Sequence, residues 1–169
     1  TIKDMQLRYH TNLHATIDYG SATVEQTHYN SFIFCMSRVE NEEDARGIFP
    51  EYDDYWFLKE EDRIEFGTAV GKQLHKYLLE KYDSGNNILP QNTNPAEIDM
   101  SLHCGEVFYL PREIHINDSN ATQIDELIEK MAHKAFTKPP IPYEPEKEYR
   151  FVYTLSHNGI IISPTADSA

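Results

Sequence analysis

The stretch "PYEPEKEYRFVYTL", residues 142–155, decides how this chain can fold. Its second half is a run of aromatic and β-branched residues, which is typical of a strand. Side chains two positions apart in an extended chain lie on the same side, so one face is predicted to be charged. That face comprises Glu144, Glu146, Glu148 and Arg150. The opposite face comprises Lys147, Tyr149, Phe151, Tyr153 and Leu155. The charged face is either a solvated edge of a sheet or the floor of a site.

The length and composition favour a single domain around this strand. A chain of 169 residues with 40% hydrophobic and 12% aromatic content can bury one sizeable core. We therefore expect one α+β domain over residues 1–169. The chain begins at Thr1 rather than at Met, which leaves open that it is a piece of a longer protein.

The charge of the chain limits its partners. It carries 28 acidic and 15 basic side chains, for a formal charge of −13, which repels a phosphate backbone and argues against nucleic-acid binding. The same charge would attract a basic protein partner. No apolar run approaches the roughly 20 residues that cross a bilayer, and no signal-peptide core is found, so we expect a cytoplasmic protein. The sequence does not indicate the oligomeric state.

Other strands are predicted from alternation and apolar runs. Leu7 to Val24 alternates and is expected to form a hairpin turning at Tyr19-Gly20-Ser21. Ser31 to Ser37 is apolar on both faces, which favours a central strand covered on both sides. Met100 to Leu110 is predicted to be another strand, and Arg38 to Asp62 a long loop or short helical turn.

Two main helices are predicted from the spacing of apolar residues. The first runs from Val70 to Tyr82 and ends near "DSGNN", and the second lies between Asn120 and Phe136. Arg63 to Phe66 is a possible short strand, and Gly67 and Gly71 are interpreted as a tight strand-to-helix turn. "TKPPIPYEP" is predicted not to be helical. The fold class is therefore α+β, a mostly antiparallel sheet flanked by two main helices.

The sequence motifs indicate neither a metal site nor a cysteine nucleophile. His10 and His14 are four apart but lie in an alternating segment, and neither His-Glu-x-x-His nor paired Cys-x-x-Cys occurs, so no metal site is predicted. Cys35 and Cys104 lie in apolar runs typical of buried free thiols, although a disulfide stays open. Burial would raise the pKa of Cys35, which argues against a nucleophile.

Carboxylates remain as the candidate functional groups. Glu146 and Glu148 are singled out because they lie beside Arg150. One interpretation is a charge pair at a sheet edge, which contributes little. The other is a carboxylate oriented by Arg150, able to act as a base or to accept a hydrogen bond from a substrate hydroxyl. In that case an aromatic stretch would offer the stacking surface, through Tyr52, Tyr55 or Trp56.

Four stretches together carry a resemblance to a known family. They are "FIFCMSRVENEEDARGIFPEYDDYW", "IEFGTAVGKQL", "GEVFYL" and "KPPIPYEPEKEYRFV". They resemble a widespread bacterial and phage family catalogued only as a domain of unknown function, whose members often look like parts of abortive-infection or toxin-like defence loci. The resemblance covers roughly 31–155, and its most specific piece is residues 146–150. The family's Asn-Asp-Pro turn has no counterpart here.

The family is similar in layout to proteins of the ADP-ribosyltransferase type, which grip the nicotinamide ribose of NAD. That resemblance implies Glu146 or Glu148 as the late acid, which accepts a hydrogen bond from the ribose 2′-hydroxyl and stabilises an oxocarbenium-like transition state. It implies Arg150 as the group that orients this acid, and His10, or Arg8 beside it, as the early group. NAD is the implied cofactor or substrate.

Three classes of function stay open. The first is a defence or toxin effector that binds NAD or a related nucleotide and acts as an ADP-ribosyltransferase or NAD glycohydrolase. The second is a non-catalytic acidic module that recognises a protein partner. The third is a structural subunit of a larger assembly.

Overall fold

The protein is α+β, with an antiparallel four-stranded sheet at its centre and two small parallel two-stranded sheets. The computed structural model describes residues 5–7, 22–24, 30–90, 93–110, 126, 129–130 and 133–165. The strands are β1 (Met5–Leu7), β2 (Ala22–Val24), β3 (Phe32–Ser37), β4 (Ile98–Glu106), β5 (Phe108–Tyr109), β6 (Thr137–Lys138), β7 (Glu148–His157) and β8 (Ile160–Ile162). The two longer helices whose bounds are described are α1 (Glu42–Ile48) and α2 (Arg63–Asp83).

Strand β7 is the central strand. It lies between β3 and β4, antiparallel to both, and β8 pairs with its C-terminal end. Phe151, Tyr153 and Leu155 are at most 2% exposed, as expected for the apolar face of a central strand. The predicted strand and the alternation of its faces from Glu148 to Leu155 are therefore confirmed.

The alternation does not extend to the residues before Glu148. Glu144–Glu146 form a 3₁₀ turn, and Lys147 follows with a left-handed φ of 46°. The predicted four-residue charged face is therefore wrong for Glu144 and Glu146, which do not lie on the strand. Two prolines in "PYEP" interrupt the extended chain at this point, because a proline fixes φ and removes a donor.

Strand β3 is confirmed as a strand, but not as a covered central one. Within the described ranges its one neighbour is β7. Ile33 is 44% exposed and Cys35 is exposed, so the face that carries them is not buried. An apolar run fits a buried strand and the wall of an apolar cleft equally well, and the structure shows the second.

Strand β4 begins at Ile98, and the predicted strand breaks at Val107. The amide of Val107 donates to the carbonyl of Glu148 at 2.9 Å. Beyond this point β5 leaves the main sheet and pairs with β6 in parallel. The break carries Tyr109 and Lys138 to the N-terminal end of β7.

Helix α2 packs on the aromatic face of β7. It begins at Arg63, so the predicted strand over Arg63–Phe66 is wrong, and it ends beside Gly85, whose φ of 76° confirms the predicted stop. Gly67 lies inside the helix rather than in a turn, which corrects the turn predicted for it and Gly71. A Cβ at Gly67 would lie 2.8 Å from the Phe151 ring, so glycine allows the helix to approach the sheet closely.

The core extends beyond the contact between Gly67 and Phe151. Leu78, Leu89 and Leu155 form its most buried cluster, at 3% exposure or less. Tyr153 is also buried, and its hydroxyl donates to the carbonyl of Gly67 at 2.8 Å. The helix and the central strand are thus joined by packing and by one buried hydrogen bond.

Three further predicted elements either differ from the structure or lie only partly within the described residues. Strands β1 and β2 pair in parallel, so they are not the arms of the predicted hairpin, whose residues 8–21 lie outside the described part. Glu126, Glu129 and Lys130 are helical, and the remainder of the predicted second helix to residue 132 lies outside it; Lys134–Phe136 form a 3₁₀ turn. Pro140–Tyr143 form a short helical segment, but Ile141 within it has non-helical angles of φ −102° and ψ 127°, so the stretch predicted not to be helical contains no regular helix.

Candidate functional site

The first residue of β7 is a buried glutamate paired with a largely buried arginine. Glu148 is 6% exposed, and its two carboxylate oxygens accept from Arg150 Nε at 2.8 Å and Nη2 at 3.0 Å. Arg150 also donates to the carbonyl of Ala135 at 2.5 Å. The guanidinium is therefore fixed between the strand and the 3₁₀ turn that precedes β6. The interpretation of this pair as an exposed surface ion pair is wrong.

Lys138 joins the two glutamates. Its ammonium donates to Glu146 Oε2 at 2.7 Å and to Glu148 Oε2 at 3.1 Å, and it lies 4.1 Å from the centre of the Tyr143 ring. Strand β6 places Lys138 here, and the pairing of β6 with β5 places Tyr109 beside it. The Tyr109 hydroxyl accepts from the Glu148 amide at 2.8 Å.

The charge on Glu148 is strongly stabilised. Burial alone would raise the pKa of this carboxyl, but the hydrogen bonds from Arg150 and Lys138, with the Cys35 thiol nearby, outweigh it and lower the pKa to about 2. A carboxylate of this kind stays ionised at neutral pH. It suits a fixed negative charge or a hydrogen-bond acceptor, and it does not suit a general base, whose pKa lies near the working pH.

Cys35 lies opposite Arg150 on the neighbouring strand. The residue is exposed, which contradicts its predicted burial, and its side chain lies on the face of the sheet that carries Glu148 and Arg150. Burial and the Glu148 carboxylate raise the pKa of the thiol to about 11, although Arg150 opposes them. That Cys35 is not a nucleophile stays a prediction, and one of its premises changes, because Arg150 lies opposite Cys35 in the sheet. Cys35 and Cys104 are both free, so they form no disulfide.

A cleft of about 920 Å³ opens beside these groups. One wall is the run 34–39 of β3 and its continuation, and another is the chain from residue 45 to residue 63. Lys138, Glu146 and Glu148 line its polar end. This volume lies within the usual range of small-molecule and cofactor sites.

The aromatic side of the cleft follows α1. Asn41 caps this helix by accepting from the Asp44 amide, and the chain after the helix is irregular up to Lys59. The Tyr55 hydroxyl lies 2.8 Å from the carbonyl of Phe49, which ties the loop back to the helix end. Trp56 is 61% exposed and packs against Phe34 and Phe66, with ring centres 6.4 and 5.6 Å away. The cleft therefore has a large, accessible aromatic surface for stacking.

Three cations at the rim are paired only at the surface. Arg38 pairs with Glu106, Lys59 with Glu61, and Arg63 with Glu60, and the three basic side chains are 61%, 77% and 40% exposed. Exposed pairs of this kind contribute about 0–1 kcal/mol. An anionic group of a ligand could therefore replace the carboxylates at little cost.

The structure brings together most of the predicted site residues. Glu146, Glu148, Tyr52, Tyr55 and Trp56 all line the one cleft. Arg150 does not line the cleft, but it donates hydrogen bonds to Glu148, which does. His10, proposed by resemblance as the early group, lies outside the described residues. The sequence reasoning missed Lys138, although this residue opens "KPPIPYEPEKEYRFV", a stretch that carried the family resemblance.

Comparison with protein-family models, curated proteins and solved structures finds no match for this chain. In the part of the chain that the structure describes, no three His, Cys, Asp or Glu side chains are grouped so as to hold a metal ion. No helix among the described residues has the length and apolar character needed to span a membrane.

Proposed function

We propose that the cleft beside β3 binds NAD or a related nucleotide, and that the protein is a cytoplasmic effector of a bacterial or phage defence system that acts as an ADP-ribosyltransferase or NAD glycohydrolase. One observation carries the proposal: Glu146 and the ionised Glu148 lie in the same cleft as the aromatic side chains of Tyr52, Tyr55 and Trp56. The defence role and the choice of NAD come from the family resemblance.

The two glutamates would have different roles. Both oxygens of Glu148 already accept hydrogen bonds from Arg150, and one also accepts from Lys138. Glu146 accepts from Lys138 through Oε2, and its Oε1 accepts no hydrogen bond within the described residues. Glu146 is therefore the acid with capacity for a ribose hydroxyl. Glu148 is the positioning residue that holds Lys138 and supplies a fixed charge for the developing oxocarbenium.

The rest of the nucleotide fits the remaining walls. The exposed rings of Tyr52 and Trp56 offer stacking surfaces for a base or the nicotinamide. Arg38, Lys59 and Arg63 at the rim could exchange their surface carboxylates for the pyrophosphate.

The test is incubation with NAD, with nicotinamide release followed by chromatography and NAD binding by calorimetry. Glu146→Gln should abolish release without unfolding the protein, because it removes one partly exposed ion-pair member. Glu144→Gln is the matched control, since Glu144 is exposed and lies outside the cleft lining. Wild-type protein that neither binds NAD nor releases nicotinamide would overturn the proposal.

A second candidate, a non-catalytic acidic module that recognises a basic protein partner, has its own observation. The segment 40–62, which forms one wall of the cleft, carries ten acidic and two basic side chains. All ten acidic residues are exposed. Such a surface attracts a positively charged partner at long range.

A further inference from the structure

Strand β3 has an edge that no other described strand occupies. The Arg38 amide donates to the Lys147 carbonyl at 2.8 Å, so this opposed pair is of the hydrogen-bonded kind. Bonded and non-bonded pairs alternate along an antiparallel ladder. The backbone groups that face β7 are therefore those of Phe32, Phe34 and Met36. Those that point away from it are Ile33, Cys35 and Ser37.

The hydrogen bonds between β7 and β4 lead to the same assignment of inward-facing and outward-facing backbone groups on β3. The Val107 amide donates to the Glu148 carbonyl, so the backbone of Glu148 faces β4 and its opposite residue on β3, Ser37, belongs to a non-bonded pair. Within the described ranges, the outward amides and carbonyls of Ile33, Cys35 and Ser37 make no backbone hydrogen bond. An edge of this kind is a template for another strand.

The cleft runs along this edge. Consecutive residues 34–39 line it, and neighbouring residues of a strand point to opposite faces, so the cleft borders the edge rather than one face. The six residues of β3 extend over roughly 20 Å at about 3.3 Å per residue. An extended segment of similar length therefore has both space and hydrogen-bond partners here.

The surroundings select the side chains of such a segment. On one face of the sheet an added strand would lie beside Phe34 and the exposed Trp56. On the other face it would lie beside Cys35, in the cleft whose polar end includes the Glu146 carboxylate. The acid-rich segment 40–62 borders the same cleft. Apolar and basic residues in alternation match both faces.

We propose that β3 binds an extended peptide of a protein partner by strand addition, and that this peptide alternates apolar and basic residues. The inference specifies the second candidate function and rests on it, because it names how the basic partner is held. Backbone hydrogen bonds to Ile33, Cys35 and Ser37 supply affinity, and the two faces supply selectivity.

The test uses a synthetic peptide of about seven residues that alternates valine and lysine, with binding measured by fluorescence anisotropy. Two further peptides carry backbone N-methyl groups, one at the valines and one at the lysines. In an added strand the backbone amides of alternate residues face β3, so either the valine amides or the lysine amides do. One methylated peptide should therefore bind at least about tenfold more weakly, and the other should bind like the parent. Loss of binding by the peptide with methylated lysines would show that the peptide adds antiparallel to β3. The residue opposite Cys35 has its side chain on the same face as Cys35, and in an antiparallel pair it also exchanges backbone hydrogen bonds with Cys35.

A fourth peptide has the same composition with valines and lysines in two blocks. If all four peptides bind equally, charge alone holds the partner: strand addition is overturned while the acidic-module function stands. If none binds, both are overturned.

Measurements on the protein itself add an independent readout. Binding should slow amide hydrogen exchange at Ile33, Cys35 and Ser37, and unchanged exchange there would overturn the proposal. Cys35→Pro removes one outward amide that makes no bond to β7, a substitution that edge strands tolerate, and should weaken binding about tenfold. Cys35→Ala keeps that amide and changes only the side chain, so it should weaken binding much less than Cys35→Pro.

Discussion

Glu148 and Arg150 are joined by two hydrogen bonds along a single strand, from Arg150 Nε to Glu148 Oε1 at 2.8 Å and from Nη2 to Oε2 at 3.0 Å. Residues two apart on a strand share a face, so β7 itself sets this two-pronged geometry. The side chains are only 7% and 12% exposed, and water screens the pair weakly. The pair is thus an anchor of the fold as well as a part of the site.

Removing this charge should destabilise the protein. Glu148→Gln leaves the largely buried Arg150 without a full counter-charge, and breaking a buried pair costs about 3–5 kcal/mol. The lowered pKa gives a similar figure of about 3 kcal/mol at neutral pH. We expect a loss of about 3 kcal/mol in the free energy of unfolding, measured by urea denaturation.

Glu144→Gln supplies the control, because Glu144 is exposed and lies on the turn before the strand. It should change the free energy of unfolding by less than about 0.5 kcal/mol. Equal effects of the two substitutions would contradict the buried-pair account. The comparison also means that any loss of activity in Glu148→Gln must be measured on folded protein.

The stabilisation by Glu148 should depend on pH in one direction. The pKa of this carboxyl is lowered from 4.5 to about 2, so the unfolded state takes up a proton more readily than the folded state as pH falls. The contribution is complete above about pH 5 and is lost progressively between 4.5 and about 2. The difference in unfolding free energy between wild type and Glu148→Gln should therefore shrink as pH falls from about 6 to about 3. A difference that stays constant would contradict the assigned pKa.

The elements set by local pattern could be predicted from the sequence. Strand β7 and the alternation of its faces follow from a run of aromatic and β-branched residues, and α2 follows from the helical spacing of Val70, Leu74 and Leu78. The place of β3 at an edge could not be predicted, because an apolar run does not state which strands will pair with it. Pairing depends on chain segments more than 100 residues apart, as in Phe32 with Tyr153.

The sequence allowed most residues of the candidate site to be predicted, but not how they are arranged in space. Glu146, Glu148 and Trp56 were singled out by type and motif, and the cleft that joins them depends on contacts between distant segments. Lys138 was missed because the turns between it and Glu148 cannot be derived from alternation. The same turns explain why Glu146 departs from the predicted strand and keeps an oxygen free of hydrogen bonds from the described residues.

The contact of α2 with β7 gives a prediction about packing. Gly67→Ala should destabilise the protein by about 1–3 kcal/mol, because its Cβ would lie 2.8 Å from Phe151 and 2.9 Å from Leu102. Gly47→Ala, in α1, is the matched control, since a Cβ there meets nothing within 4 Å. Alanine favours a helix over glycine, so this control should leave stability unchanged or raise it by up to about 1 kcal/mol. Thermal unfolding of both variants distinguishes close packing from helix propensity.

Cys35 should react slowly with iodoacetamide although the residue is exposed. Only the thiolate is nucleophilic, and burial together with Glu148 raises the pKa of this thiol to about 11. In a Cys104→Ser background, where Cys35 is the sole thiol, the labelling rate followed by mass spectrometry should rise about tenfold per pH unit from about pH 7 to about pH 10. The same protein unfolded in urea should level off near the ordinary cysteine pKa of about 8.5. Because Glu148 contributes to the raised pKa, Glu148→Gln should speed labelling of the folded protein. A folded wild type that labels as fast as the unfolded chain at neutral pH would contradict the raised pKa of the thiol.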